Sequence, residues 1–144
     1  MRQVIYFDTS TLAKWYIREA RSEEVAKYIQ DHAPIDISDL TIVEMRTLLA
    51  RRRRERNIDS QTEIRIYATF KDDIRQKLLV CHPLPTDFAV AADHLLSVLA
   101  DLPLRTLDLS HLTVAKEIQA DIFVTSDRVM VAGAEAMGFS VVRF

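Results

Sequence analysis

Four carboxylates stand out from this sequence by their surroundings. Asp8 closes the run Val4-Ile5-Tyr6-Phe7 and is followed by the hydroxyl residues Thr9, Ser10 and Thr11. Asp127 closes Ile122-Phe123-Val124-Thr125-Ser126 in the same manner. Glu44 and Asp108 intrude on apolar helical stripes. Glu44 is flanked at four residues by Leu40 and Leu48, and Asp108 by Leu104 and Leu112; residues so spaced share a helix face. An unpaired carboxylate among apolar side chains is costly, so it neutralises or finds a partner. A local partner would be an arginine such as Arg46, Arg51 or Arg105, or a helix terminus, and for Asp127 a plain N-cap would suffice. The other partner is a shared cation. Acidic oxygens with hydroxyl neighbours, and no Cys or His cluster, suit a hard ion, Mg2+ or Mn2+, rather than zinc. Such an ion shares its shell with phosphate oxygens and acidifies water, which makes phosphodiester hydrolysis the natural reaction class. Without the ion, clustered carboxylates should repel one another and some of their pKa values should rise.

These acids need a scaffold that brings distant segments together. The β-branched and aromatic run before Asp8 reads as a buried strand whose carboxyl end delivers the acid as a helix begins. In open α/β sheets, sites form at that end of the strands. Helical spacing continues from Thr9 to about Glu19, then from Ser22, a plausible capped start, to His32. Ile35 to Ser38 is a strand candidate, Asp39 caps a helix to about Arg56, and another helix runs from Asp59 towards Leu79. Leu79 to Leu84 reads as a short strand, followed by helices from Thr86 to about Ala100 and from Leu104 to Gln119. Asp121 to Thr125 is a strand, Arg128 to Met137 a helix closed by Gly138, and Ser140 to Arg143 the last strand. Strands alternating with helices predict a three-layer α/β/α sandwich around a short parallel sheet of four or five strands.

Bulk properties set the remaining bounds. The 144 residues suit one domain, 1–144, and 49% apolar with 28% charged residues is an ordinary globular balance. No apolar run approaches the about 18 residues of a membrane span, and no signal-peptide pattern opens the chain. A single cysteine, Cys81, fits a reducing compartment and a small core position, so cytoplasmic residence is expected. The net charge of −2 argues against an overall electrostatic grip on nucleic acid, yet Arg51, Arg52, Arg53, Arg54 and Arg56 fall within six positions. Arg46, Arg51 and Arg54 are candidate contacts to nucleic acid or a partner, although consecutive helical residues cannot all face one ligand. A solvated helix end is the plain alternative. Trp15 and Tyr16 are expected to pack the first helix, and His111, one turn beyond Asp108, to be structural or to support the site.

Phe7-Asp8-Thr9-Ser10, Ser38 with Glu44-Met45-Arg46, Leu104 through Leu112, and Val124-Thr125-Ser126-Asp127 resemble the four acidic blocks of PIN-domain ribonucleases, and among these the VapC-type toxins of prokaryotic toxin–antitoxin pairs. The likeness covers nearly the whole chain. It implies a sheet ordered 3-2-1-4-5 and a Mg2+- or Mn2+-dependent endoribonuclease. It also implies a homodimer held inactive by a small antitoxin. Carried over by position, Asp8, Asp108 and Asp127 would hold metal. Glu44 would hold it directly or through water, or orient the attacking water. Thr9, Ser10 and Thr125 would support the carboxylates. One departure is Leu109-Ser110, where the third block commonly has Ala after the acid.

Two other readings compete. An aspartyl-phosphate phosphatase also places Asp after its first strand, but it needs a second Asp two residues on, where this chain has Ser10, and a late Lys that is missing. A non-catalytic RNA- or protein-binding α/β module would use the acids only as helix caps.

Overall fold

The computed structural model describes residues 1–144. Five strands, β1 (Ile5–Phe7), β2 (Ile35–Ser38), β3 (Leu79–His82), β4 (Ile122–Thr125) and β5 (Ser140–Arg143), form one sheet in the order β3-β2-β1-β4-β5. All pairings are parallel, with Tyr6 opposite Asp36 on one side of β1 and opposite Phe123 on the other. The connections are α1 (Thr9–Tyr16), α2 (Ser22–His32), α3 (Asp39–Arg54), α4 (Ser60–Arg75), α5 (Phe88–Val98), α6 (Thr106–Glu117) and α7 (Arg128–Ala136). The expected strand order and α/β/α layering are both present.

The period-two alternation of strand side chains divides the core. Ile5, Phe7, Ile35, Ile37 and Leu79 meet Leu12, Val25, Ile29, Met45, Leu49 and Phe70 from α1 to α4. Tyr6 and Phe123 point the other way, onto Leu95, Leu112, Ala115, Met130 and Ala134 from α5 to α7. Because β1 is central and covered on both faces, its three residues are all buried; burial of a side chain such as Phe7 contributes about 1.5–3 kcal/mol. The chain runs β1 to β2 to β3 on one side and then crosses to β4 on the other. The carboxyl ends of β1 and β4 therefore flank the switch point where α/β folds place their sites.

Several local expectations are corrected. The first helix stops at Tyr16, because the Ser22 hydroxyl accepts from the Glu19 amide and donates to the Ile17 carbonyl. Ser22 is thus the stitch of a turn, and the cap of α2 is Arg21 in the left-handed region without a side-chain bond. α3 is capped by Ser38 rather than Asp39, through a reciprocal box with Thr41. β3 ends at His82, two residues before Leu84, and α5 starts at Phe88, beyond Pro83 and Pro85, since proline offers neither a ladder donor nor a mid-helix amide. Cys81 is half-exposed on the edge strand β3, its thiol pointing to Asp39 Oδ1 at 3.6 Å; partial burial and the Asp39 charge push it up to about 11.

Candidate active site

The strand-to-helix turn after β1 fixes Asp8. Its backbone continues the ladder, donating to the Val124 carbonyl at 3.0 Å. Its side chain caps α1, Oδ1 accepting from the Thr11 amide at 2.9 Å. Oδ2 accepts from Thr125 Oγ1 at 2.6 Å and, more weakly, from Ser10 Oγ at 3.5 Å. The same Thr125 hydroxyl accepts from the Asp127 amide at 3.0 Å, so one residue at the end of β4 joins both strand-end acids. Asp127 Oδ1 caps α7 through the amides of Val129 and Met130, which leaves Oδ2 without a protein partner.

The two helical acids come from opposite sides of the sheet end. Asp108, 8% exposed, reaches back over the first turn of α6, its Oδ2 accepting from the Arg105 amide at 3.1 Å and from its Nε at 3.4 Å. Its Oδ1 is unengaged. Glu44, in the middle of α3, caps nothing. Its Oε1 accepts from Thr9 Oγ1 at 2.8 Å and from His111 Nε2, and its Oε2 is free. The partner of this intruding carboxylate is therefore a histidine from α6 and a threonine from α1, and none of the arginines considered from the sequence.

All four acids line one cleft of about 750 Å³, together with Thr9, Ser10 and His111. Its rim carries Arg51, Arg54 and Arg105. The arginine cluster disperses as helical geometry requires: Arg51 and Arg54 face the cleft, Arg52 pairs with Glu19 at 2.8 Å, and Arg53 with Glu63 at 2.5 Å. Arg46 turns to α4, pairing with Glu63 at 3.0 Å and lying over the Tyr67 ring. Arg46 is thus set apart from Arg51 and Arg54, the other two candidate contacts.

Electrostatics separates the acids. Burial pushes Asp8 above the usual carboxylate range, against the pull of its hydrogen bonds from Thr11 and Thr125. A rise is expected from the sequence through mutual repulsion of the acids; at Asp8 the rise comes from burial instead. For Glu44 burial acts upward too, yet the His111 and Thr9 hydrogen bonds and the His111 charge outweigh it and hold the carboxyl below its usual value.

The donor chemistry fits a hard cation: every acid is an oxygen ligand, and three of the four keep an oxygen that no protein group engages. As they stand, no three of them gather tightly enough to enclose one ion. Mg2+ characteristically completes its octahedron with water and substrate oxygens rather than an all-protein cage.

His111 is the site residue that the sequence defines least. It is 3% exposed, and its Nδ1 lies 2.6 Å from the Tyr6 hydroxyl, itself 2.9 Å from Ser38 Oγ. Its position one turn from Asp108 places it near the site, but no local signal announces partners on β1 and α3. The second group that escapes a reading of the sequence is Asp36, fully buried in β2. It is held by both Arg2 guanidinium nitrogens at 2.8 and 2.9 Å, His82 Nε2 at 2.8 Å and the Ile5 amide at 2.9 Å.

Comparison with known proteins gives one family. The sequence model of the PIN domain matches residues 5–135. No curated protein matches. Among solved structures, FitAcB from Neisseria gonorrhoeae is similar over 97% of each chain at 15% identity and a TM-score of 0.71. Mycobacterium tuberculosis VapC20, a toxin that cleaves the sarcin–ricin loop, is similar over 97% of this chain and 99% of its own, at 18% identity and a TM-score of 0.69. DNA-bound VapBC from Salmonella typhimurium is similar over 98% of each chain, at 16% identity and a TM-score of 0.67. At such identities these likenesses establish the shared fold.

Proposed function

The chain belongs to the PIN-domain family, and on that premise we propose that it is a Mg2+- or Mn2+-dependent endoribonuclease hydrolysing RNA phosphodiester bonds, the toxin of a toxin–antitoxin pair. We read residues 1–144 as one PIN-like domain. It acts in the cytoplasm as a homodimer, restrained by a small antitoxin protein. The toxin reading is supported by the fold shared with VapC20, VapBC and FitAcB. No helix is long and apolar enough to cross a membrane.

The observation that carries the catalytic reading is Glu44. Asp8, Asp108 and Asp127 each cap a helix, which a non-catalytic binding module would also need. Glu44 caps nothing, yet Thr9 and His111 turn it into the same cleft with one oxygen free. Helix capping, the role left to the acids in a binding module, does not extend to Glu44.

Asp8, Asp108 and Asp127 would hold the ion, and Glu44 would hold it directly or through water, or orient the attacking water. When bound, the ion supplies neutralisation of charge on the phosphate oxygens and acidification of water. Thr125 and Ser10 keep Asp8 oriented by donating to Oδ2, and Thr9 does the same for Glu44. Arg51, Arg54 and Arg105 on the rim bind RNA phosphates, a task suited to the forked guanidinium. They bring a polyanion to a cleft whose acids would otherwise repel it.

The test is cleavage of a mixed structured-RNA pool by purified protein with EDTA, Mg2+ or Mn2+, beside Asp8→Asn prepared identically. Metal-dependent cutting that the variant loses is the expected result. No cutting by the wild type, combined with no divalent binding by calorimetry, would transfer the case to the binding module.

A further inference from the structure

Resting on that reading, we propose that His111 is a positioning residue for Glu44, the terminal link of a buried hydrogen-bond chain that carries the alignment of the sheet into the cleft. The chain begins where β2 becomes α3, with Ser38 Oγ accepting from the Thr41 amide in the capping box. It passes through the Tyr6 hydroxyl at 2.9 Å and His111 Nδ1 at 2.6 Å, and His111 Nε2 ends it on Glu44 Oε1. A carboxylate only accepts, so His111 Nε2 is the donor of that last bond.

The members of this chain are unusually well immobilised. Tyr6 and Ser38 are fully buried and His111 nearly so, and Tyr6 is packed between the imidazole and Phe123, with ring centroids 5.7 Å away on each side. Glu44 is the least buried member, with a side chain 24% exposed on α3 between the exposed Val43 and the buried Met45. Without a partner, its carboxylate would sample several rotamers and be hydrated by the cleft. Bonds from two directions, His111 on α6 and Thr9 on α1, hold Oε1 and leave Oε2 as the oxygen presented to the cleft.

The chain also couples the acids to one another. His111 lies on α6 one turn from Asp108, so the bond that fixes Glu44 also ties the helix carrying Asp108 to the helix carrying Glu44. Both helices are referenced to β1, whose next residue after Phe7 is Asp8. Three of the four acids thereby share one frame. Partners outside the ligand shell typically account for about 10- to 100-fold in metal affinity or activity.

The experiment compares His111→Leu, His111→Gln and Tyr6→Phe with wild type, reading Mn2+ affinity by calorimetry, kcat and KM on the RNA that the wild type cuts, and the melting temperature without metal. His111→Leu is expected to weaken Mn2+ binding and lower kcat by about 10- to 100-fold while KM for RNA stays unchanged. His111→Gln, whose amide can donate to Glu44 from nearly the same place, should recover most of that loss. Tyr6→Phe keeps the ring and removes the hydroxyl, so it should lose part of it. Wild-type affinity and kcat in His111→Leu would overturn the proposal. So would a His111→Gln that folds yet is as defective as His111→Leu, since volume rather than the donor would then matter. If the wild type cuts nothing in the pool, Mn2+ affinity alone decides. If the wild type also binds no Mn2+, the nuclease reading fails and the proposal falls with it.

Discussion

Thr125 Oγ1 donates to Asp8 Oδ2 at 2.6 Å across the carboxyl ends of two adjacent parallel strands. It is a short bond to a charged acceptor, of the kind that contributes about 1.5–3 kcal/mol, and it accounts for why a buried carboxylate can be kept between β1 and β4. The same hydroxyl receives the Asp127 amide, so the strand ends are held at the spacing the cleft requires. A Thr125→Val substitution retains the strand-forming shape and removes the bridge. It should lower the melting temperature and weaken divalent binding together, and a calorimetric titration beside a thermal scan checks both.

Asp8 itself should show function and stability in opposition. Burial raises its folded pKa above the unfolded value of 3.8. A raised carboxyl pKa means that the folded state binds the proton more tightly, so Asp8's contribution to stability is lost as pH rises from about 3.8 through the folded value. At neutral pH the ionised group is a burden to the metal-free fold. Asp8→Asn removes that burden, and its amide oxygen can still cap α1 through the Thr11 amide. The variant should melt at or above the wild-type temperature at neutral pH without divalent ions. Its cleavage should fall further than the about 100-fold typical of losing an outer-shell partner. A variant that melts well below wild type would mean that ionised Asp8 stabilises the metal-free fold instead.

Asp36 predicts the opposite pH behaviour far from the chemistry. Burial alone would raise it, but Arg2, His82 and the Ile5 amide together hold it below its usual value. A lowered carboxyl pKa contributes stability that is full above the unfolded value of 3.8 and is lost as pH falls through the folded value. Asp36→Asn should therefore cost about 1.5–3 kcal/mol at pH 7, the range for hydrogen bonds to a charged group. The difference from wild type should close below about pH 4. Denaturant midpoints across pH 3 to 7 are the measurement.

How much of this is legible in the sequence depends on how far each signal reaches. Asp8 and Asp127 are legible because strand, acid and helix start are contiguous, and the alternation of Ile5, Tyr6 and Phe7 assigns the two core faces locally. Glu44 and Asp108 are legible as violations of their own helical stripes. His111 is legible as a neighbour of Asp108 but its partners are not, because its bonds to Tyr6 and Glu44 span 105 and 67 positions and no periodicity encodes them. The Asp36 cluster is hidden for the same reason, since its partners come from the chain start and from β3. Ser22, by contrast, misleads locally: a hydroxyl followed by Glu24 and Val25 looks like a cap, but the preceding Glu19 amide takes it for a turn.

The rim arginines can be separated by salt. Arg51 and Arg54 line the cleft, whereas Arg46 is spent on Glu63 and Tyr67. Each lost contact to a single-stranded RNA phosphate should reduce the slope of log affinity against log salt by about 0.7. Arg51→Ala and Arg54→Ala should each raise KM and flatten that slope with little change in kcat. Arg46→Ala should leave both untouched and lower the melting temperature, because Glu63 then depends on Arg53 alone. An unchanged slope in all three variants would remove the rim from RNA binding.

Asp127 allows the cap and the ligand to be told apart in one residue. Its Oδ1 serves α7 and its Oδ2 is unengaged, so two jobs are divided between the oxygens of one side chain. Asp127→Ser keeps an acceptor suited to an N-cap, and Asp127→Ala does not; losing such a cap costs about 1 kcal/mol. If Asp127 only caps, the serine variant should behave as wild type in every respect and alanine should be less stable. If it also binds the ion, both variants should lose cleavage while only alanine loses metal-free stability. The ion supplies a second readout, since a ligand at 100 times its Kd stabilises a folded protein by about 2.7 kcal/mol. Saturating Mn2+ should therefore raise the wild-type melting temperature by several degrees and move Asp127→Ser much less. An equal Mn2+ shift in wild type and Asp127→Ser would leave Asp127 a cap and nothing more.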